Sequence, residues 1–302
     1  MRYVTGRLDM VARVSGPAPG LYHVQFKTLS QYESTDAYVR AISMSLHEST
    51  YSWLWNETEE EKLKGTLLVV FRKTVPGKWD AKTKSRTYDP AWNPFERHRI
   101  TIVERDRARA VESIECTWDV LDACKDAETW PCHPRACVRY GRTCELYDTC
   151  KIGLFDKDKF TTREEDYVDT SPYGKDAVMN VSRIETFQTC PRLYEHRYIK
   201  NLVRKGDEEE RTALAFGTAV HKAMEMYYEP DSHGRPALDL ARAIAAFKKS
   251  LPEGHDERAK EVETSGYGEY MLTKYAEKFA DIDAATFEEI VGNEVSITAE
   301  MP

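Results

Sequence analysis

Val4-Thr5-Gly6-Arg7-Leu8-Asp9-Met10-Val11 is the stretch that decides the fold, and Tyr22-His23-Val24-Gln25-Phe26-Lys27-Thr28 follows it after a short connection. Apolar and polar residues alternate over residues 4–14, which predicts a half-buried strand. The connection Gly16-Pro17-Ala18-Pro19-Gly20 predicts a turn. We therefore expect residues 21–27 to return as the second strand of a hairpin.

Three polar side chains of this hairpin are candidates for a reaction centre. Gln25 and Lys27 are two residues apart in the second strand, so their side chains leave the same face. With Asp9 on the first strand, an acid, an amide oxygen and a lysine are expected to converge. Phosphodiester hydrolysis uses oxygen ligands for a divalent cation and a positive group near the attacking water. The same pattern also fits an ordinary hairpin with solvated polar residues.

Composition narrows the class of protein without naming a reaction. The chain has 302 residues, of which 31% are charged, and a net charge of -8. No apolar run is long enough to span a membrane and no signal peptide is visible, so we expect a cytoplasmic protein. The negative charge excludes a uniformly basic surface but not a basic groove for nucleic acid. Basic residues alternate with aromatic ones at 72–86 and 192–204, a pattern that also suits solvated faces.

The seven cysteines predict a metal site more than a disulfide framework. A triplet with spacings of six and five residues is formed by Cys137, Cys144 and Cys150. This spacing is not the paired C-x2-C of a zinc ribbon, and it leaves a fourth ligand to be found elsewhere. Cys190 is the candidate for that ligand. Cys116 and Cys124, in a helix predicted over residues 105–127, are interpreted as buried inert thiols.

The second half of the chain is predicted to be mainly helical. Ser182 and Glu185 have the spacing of a capping box. An apolar stripe predicts a helix over residues 212–229 that includes His221, a residue that would ordinarily pack in the core. Further elements are expected in three segments. These are helices over residues 237–250 and 258–280 and a strand over residues 294–300 that stops without a partner.

Several motifs together resemble the RecB-like branch of the PD-(D/E)XK nucleases, of the type found in phages and in CRISPR-associated and AddB iron-sulfur exonucleases. The matching elements are Cys190-Pro191-Arg192, Gly217-Thr218-Ala219-Val220-His221, Gly6-Arg7-Leu8-Asp9, Lys27-Thr28, His47-Glu48-Ser49-Thr50-Tyr51 and the cysteine triplet. The resemblance covers nearly the whole chain. It implies an α/β fold with a restriction-endonuclease-like core, a central mixed sheet flanked by helices.

The resemblance also implies a function and a set of roles. We expect a metal-dependent DNA nuclease, an exonuclease that acts on DNA ends or single strands in recombination, repair or phage DNA processing, with a recombination protein as a further partner. The implied Mg2+ or Mn2+ ligands are His221, Asp9 and Gln25, with Lys27 assisting the water and His47 and Tyr51 contacting DNA. The implied [4Fe-4S] ligands, with Zn2+ as the alternative metal, are Cys137, Cys144, Cys150 and Cys190.

Three departures from the family pattern keep other functions open. Gln25 stands where the family has Asp or Glu, so the metal loses one charged ligand. His47 stands where the family has Gln, and the first cysteine spacing is six residues where the iron-sulfur members have two. The alternatives are a DNA-binding or recombination accessory protein that cleaves poorly, and a zinc-binding DNA module without a catalytic role.

The order of the motifs is the largest departure. The family's opening elements come last here, so the sequence predicts a circular permutation: residues 179–302 supply the first half of one domain, residues 1–155 the second half, and residues 156–178 a polar linker. Joining Pro302 to Met1 would restore two adjacent strands through a short turn. The same order would result if a circular genome had been cut at this point.

Overall fold

The computed structural model defines the fold in ten stretches of the chain. The described residues are 1–29, 34–72, 77–80, 85–88, 95–139, 142–153, 157–162, 178–205, 212–251 and 264–302. Of the linker predicted over residues 156–178, residues 156 and 163–177 lie outside this set. The described part includes a strand, Phe160–Thr162, where a polar linker was predicted; the basic run at 72–86 is also only partly described.

In the described residues, the strands form one large sheet and three two-stranded sheets. The large sheet contains β1 (Tyr3–Val14), β2 (Gly20–Leu29), β3 (Leu63–Arg72), β6 (Phe95–Thr101), β10 (Val178–Asn180) and β12 (Phe287–Glu300). The two-stranded sheets pair β4 (Gly77–Asp80) with β5 (Ser85–Tyr88), β7 (Val138–Arg139) with β8 (Arg142–Thr143), and β9 (Phe160–Thr162) with β11 (Leu202–Arg204).

The helices lie mainly on the two faces of the large sheet. Those of the first half are α1 (Thr35–Ser43), α2 (Leu46–Thr58), α3 (Glu104–Asp126) and α4 (Tyr147–Ile152). Those of the second half are α5 (Val181–Thr189), α6 (Pro191–Tyr194), α7 (Thr212–Tyr227), α8 (Leu240–Ser250) and α9 (Thr264–Thr286). A π-helical turn, Glu195–Ile199, continues α6.

The large sheet is mixed. β1 is antiparallel to β2 and β12 and parallel to β10, whereas β2 runs parallel to β3, and β3 is antiparallel to β6. One core joins this sheet to α7, α8 and α9, and another joins it to α2, α3 and α5. The central mixed sheet flanked by helices that the sequence predicted is therefore confirmed.

The two ends of the chain lie side by side in the sheet. Tyr3 pairs with Glu300, and the backbone N–H of Met301 donates to the carbonyl of Arg2 at 2.9 Å. The last strand thus has a partner, in contrast to its appearance in the sequence. Across the described parts of the chain, no helix combines the length and the apolar character that a membrane crossing needs.

Several predicted boundaries were wrong. Asn180, not Ser182, caps α5, because its side chain accepts from the backbone N–H of Arg183 at 2.9 Å. The helix α9 continues to Thr286, six residues beyond its predicted end, and β12 begins at Phe287 instead of residue 294. Phe287 and Ile290 are buried in the core, so packing extends this strand beyond its alternating part.

A buried ionic network ties α7 and α9 to the edge strand β6. The guanidinium of Arg97 donates to both carboxylate oxygens of Asp283, at 2.5 and 2.9 Å, and Asp283 is fully buried. The Tyr228 hydroxyl also donates to Asp283 at 2.7 Å, and the hydroxyls of Tyr228 and Tyr275 lie 2.7 Å apart. Every charge in this network has a partner, so it fixes how the helical layer sits on the sheet.

Candidate functional site

Asp9 lies where β2 separates from β1. The ladder between these strands ends at the pair Met10 and Val24. Beyond it, the backbone N–H of Phe26 donates to Oδ2 of Asp9 at 2.9 Å. Leu8 packs in one core and Met10 in the other, although residues two apart in a regular strand share a face. Asp9 therefore occupies an irregular point, where its carboxylate replaces a strand partner.

His221 approaches Asp9 from α7. Its Nδ1 lies 3.5 Å from Oδ2 of Asp9, and its ring meets the edge of Phe26 at a centroid distance of 6.4 Å. Its neighbours Val220 and Met224 are fully buried, whereas 28% of the His221 side chain is exposed. The histidine thus sits at the rim of the apolar stripe and faces the fork between the two strands, unlike a packed core residue.

Glu294 is the residue of this site that the sequence did not indicate. One oxygen of Glu294, one of Asp9 and a ring nitrogen of His221 all lie within 4.8 Å of one another. Pairing of Leu8 with Val295 and of Met10 with Asn293 sets Glu294 across from Asp9. Its φ of 52° is unusual for a glutamate inside a strand. The sequence contained one signal for it: if Pro302 is joined to Met1, the last strand becomes the neighbour of β1.

The pKa values of the two carboxyl groups of the site are shifted in opposite directions. Burial alone raises the pKa of Asp9, but the hydrogen bond to His221 and the nearby charge of Lys27 bring it down to about 2. Burial and the charge of Asp9 raise the pKa of Glu294, and they outweigh its ion pair with Arg7. Negative charge is therefore concentrated here and incompletely compensated by the protein.

Gln25 and Lys27 belong to the neighbouring strand. Gln25 is 2% exposed, and its amide oxygen has no hydrogen-bond partner among the described residues. A buried acceptor without a hydrogen-bond partner is uncommon in proteins, so this oxygen is free to accept from or coordinate another group. Lys27 is half-buried and close enough to Asp9 to lower its pKa. The structure thus places Lys27 near Asp9, with Gln25 two residues before Lys27 on the same strand.

This donor set fits a divalent cation. Two carboxylates and an imidazole offer three ligand atoms within the span of a single ion, and the spare oxygen of Gln25 lies on the adjoining strand. Oxygen ligands suit Mg2+ and Mn2+, and an imidazole is also compatible with Mn2+. His221, Asp9 and Glu294 come from α7, β1 and β12, so both halves of the chain are needed to build the site.

The helix α2 places His47 and Tyr51 near the same fork. Their rings meet edge to face at 4.5 Å, and a Cβ added to Gly6 would lie 2.5 Å from the ring of Tyr51. Glycine in the Gly6-x-x-Asp9 element thus lets this ring pack against β1. Burial lowers the pKa of His47 to about 4, so its imidazole is neutral at physiological pH.

A second cluster brings the cysteine segment to the start of α6. The sulfur of Cys190 accepts from the backbone N–H of His133 at 3.5 Å, and the sulfurs of Cys132 and Cys137 lie 3.9 Å apart. Burial and the neighbouring thiolates of Cys144 and Cys190 raise the pKa of Cys150. Cys132, which sequence analysis left out of the ligand set, therefore belongs to this neighbourhood. Among the described cysteines, no three sulfurs lie within 4.8 Å of one another.

Comparison with known proteins finds one family model that matches part of the chain. The model of the PD-(D/E)XK nuclease superfamily matches residues 178–300, which contain His221, Glu294 and Cys190. Members of this superfamily are typically nucleases that use divalent metals such as Mg2+ or Mn2+ for phosphodiester hydrolysis. The mixed α/β architecture is consistent with that fold. No curated protein and no solved structure matches the chain.

Proposed function

We propose that this protein is a metal-dependent deoxyribonuclease that acts on DNA ends or single strands. The observation that supports this most is the meeting of Asp9, His221 and Glu294 ligand atoms within 4.8 Å, on a fold consistent with a nuclease superfamily. These three residues would bind Mg2+ or Mn2+. Gln25 would supply a further neutral oxygen.

Each remaining residue of the site then has a chemical task. A divalent cation supplies Lewis acidity toward the scissile phosphate. Lys27 would orient the attacking water and stabilise the negative charge that develops on the phosphate. Tyr51 would stack against a base, and His47, neutral at physiological pH, would donate a hydrogen bond to DNA without adding charge.

Degradation of end-labelled single-stranded and duplex DNA tests this function. We expect cleavage with Mn2+ or Mg2+, its loss with chelator, and a loss of about 100-fold or more in rate for Lys27→Ala, since general acid-base and electrostatic groups contribute at this level. Lys222→Ala is the matched control, because Lys222 follows His221 on α7 but pairs with Glu225 at 2.7 Å. Full activity of Lys27→Ala would contradict the assignment.

The neutral Gln25 favours one alternative function. With an amide in place of a carboxylate, the site has less charge for a cation, and the protein could serve as a DNA-binding accessory factor in recombination that cleaves poorly. The alternative predicts DNA binding without cleavage under any divalent metal. Cleavage that requires Lys27 would exclude it.

We further propose that the chain is a circular permutation of the family order. The antiparallel pairing of β12 with β1, and the hydrogen bond from Met301 to Arg2, support it because four residues would close this hairpin. A variant chain that starts at Val178, continues from Pro302 directly into Met1 and ends at Thr162 should fold and keep the metal site. An unfolded product would count against this proposal.

We also propose that the cysteine cluster binds a metal, through Cys137, Cys144, Cys150 and Cys190. Contact between Cys190 and the segment around His133 supports it. Iron in a [4Fe-4S] cluster would give a brown protein with visible absorption, and zinc a colourless one. Cys190→Ser should lower thermal stability more than Cys116→Ser, which alters an exposed thiol. Equal effects would leave these residues as ordinary thiols.

A further inference from the structure

We propose that Arg7 and Glu294 form a phosphate clamp operated by the divalent cation. In the metal-free protein Arg7 is paired with Glu294, and once Glu294 serves as a metal ligand, Arg7 binds a phosphate of the DNA backbone. This inference rests on the proposed function, because it assigns the substrate contact and the coupling of the same site.

The ion pair joins a group at the rim of the site to one inside it. Nε of Arg7 lies 2.5 Å from Oε2 of Glu294, and 66% of the Arg7 side chain is exposed against 21% for Glu294. Arg7 is two residues before Asp9 on β1. A positive side chain with this exposure, next to a candidate metal site, is accessible to a large ligand such as DNA.

Glu294 has two competing uses. Its carboxylate lies within 4.8 Å of the ligand atoms of Asp9 and His221, and the same carboxylate neutralises Arg7. A divalent cation at this position would repel the guanidinium and draw the carboxylate charge away from it. Arg7 would then lose most of the attraction that holds it to Glu294.

A freed arginine suits a phosphate better than other partners. The ion pair with Glu294 engages Nε, and the guanidinium has further donors on its two terminal nitrogens. Its planar fork matches the oxygens of a phosphate in a two-point contact. On a protein of net charge -8, a cation together with Arg7 would create a local positive field where the backbone must approach.

The arrangement makes cation binding and DNA binding favour each other. A cation bound to Glu294 releases Arg7 to bind DNA. By thermodynamic linkage, DNA bound to Arg7 raises the affinity for the cation by the same factor. A neutral residue at position 7 should remove Arg7's part of this coupling without weakening the cation site itself. Because Arg7 no longer competes for Glu294, cation affinity without DNA should be equal or higher.

The test measures affinities and not turnover. Binding of a labelled single-stranded oligonucleotide is followed by anisotropy with Ca2+ or with chelator, with a gel to check that the DNA stays intact, and Mn2+ affinity without DNA is measured by calorimetry. The variants are Arg7→Gln and Arg7→Lys. The matched control is Arg13→Gln, because Arg13 makes a similar cross-strand pair with Glu289 at 3.1 Å, outside the metal-ligand set.

We expect Ca2+ to raise DNA affinity of the wild type about 10-fold more than that of Arg7→Gln. With Ca2+ present, the slope of log DNA affinity against log salt concentration should be smaller in Arg7→Gln than in the wild type, by about one phosphate contact. With chelator, the two proteins should have the same slope. Arg7→Lys should be intermediate, since it retains the charge without the fork. Arg13→Gln should behave as the wild type.

Two results would overturn the clamp, and they differ from failure of the nuclease proposal. The clamp is wrong if Arg7→Gln keeps the full Ca2+-dependent gain in DNA affinity, or if it loses Mn2+ affinity in the absence of DNA. A wild type that binds no Mn2+ at all would instead remove the metal site, and the proposed function with it.

Discussion

Two charged clusters lie between the sheet and its α7 layer, and they differ in how completely their charges are satisfied. In one, Asp283 is fully buried and accepts from Arg97 and Tyr228. In the other, the half-buried Asp9 and Glu294 lie across from each other, and burial together with the charge of Asp9 raises the pKa of Glu294. A buried network whose opposite charges are paired stabilises the fold, whereas a site with uncompensated charge retains capacity for a ligand.

The largest expected effect comes from breaking the satisfied cluster. Asp283→Asn leaves the guanidinium of Arg97 buried without its counter-charge, so we expect a loss of about 3–5 kcal/mol in the free energy of unfolding. Urea unfolding measures it. Asp9→Asn is the comparison variant and should cost less stability, because an amide oxygen can still accept from the backbone N–H of Phe26 and no fully buried charge loses its partner. Similar losses in both would erase the distinction between the clusters.

Breaking the unsatisfied cluster should affect metal binding more than stability. Asp9→Asn removes a charged ligand, and we expect Mn2+ affinity to fall about 100-fold or more. This exceeds the usual effect of changing a residue that only hydrogen-bonds to a metal ligand. Calorimetric titration measures it. In the folded fraction of Asp283→Asn the Mn2+ affinity should remain that of the wild type. A normal affinity in Asp9→Asn would show that the cation binds elsewhere.

The hairpin that holds Asp9 could be predicted from the sequence, but the third ligand could not. Alternation over residues 4–14 and the Gly-Pro turn are local signals, and they gave both strands within two residues of their ends. Placement of Glu294 opposite Asp9 depends on the register of two strands that are distant in sequence. Its left-handed φ of 52° is a tertiary feature that no local pattern indicates.

The exposure of His221 also could not be predicted from a local pattern. Its helical position predicted a residue on the apolar stripe, and only the family motif suggested a ligand. Whether such a histidine is covered or exposed depends on where the stripe ends against the sheet, and here 28% of the side chain remains exposed beside Asp9. The cap of α5 by Asn180 was missed because Ser182 offered an equally good local pattern.

Adding negative charge to the unsatisfied cluster should strengthen its metal binding and weaken its metal-free stability. Gln25→Glu introduces a carboxylate beside Asp9, and we expect Mn2+ affinity to rise about 10-fold because affinity for such ions follows the charge of the ligand set. The metal-free variant should be less stable than the wild type, since the new charge is buried among like charges. Thermal unfolding with and without Mn2+ measures both effects. Unchanged Mn2+ affinity would place Gln25 outside the site.

The smallest effect is a difference in pH dependence between the two acids of the site. The folded pKa of Asp9 is about 2, below its ordinary value, so its contribution to stability is complete above about pH 4 and is lost as the pH falls through 2. Glu294 has a raised pKa, so it favours the folded state when protonated and costs stability as the pH rises through that value. Urea unfolding of the metal-free protein should therefore show that Asp9→Asn loses less stability than the wild type as the pH falls below about 4. It should also show a flatter profile above about pH 4.5 in Glu294→Gln.

The most direct measurement of the central claim is the Mn2+ affinity of Glu294→Gln against its matched control, Glu289→Gln. Both residues lie on β12 and both pair with an arginine of β1, but only Glu294 lies with Asp9 and His221. We predict one Mn2+ per chain in the wild type, an affinity about 10–100-fold lower in Glu294→Gln, and no change in Glu289→Gln. Wild-type affinity in Glu294→Gln would contradict the claim that the two ends of the chain build one metal site.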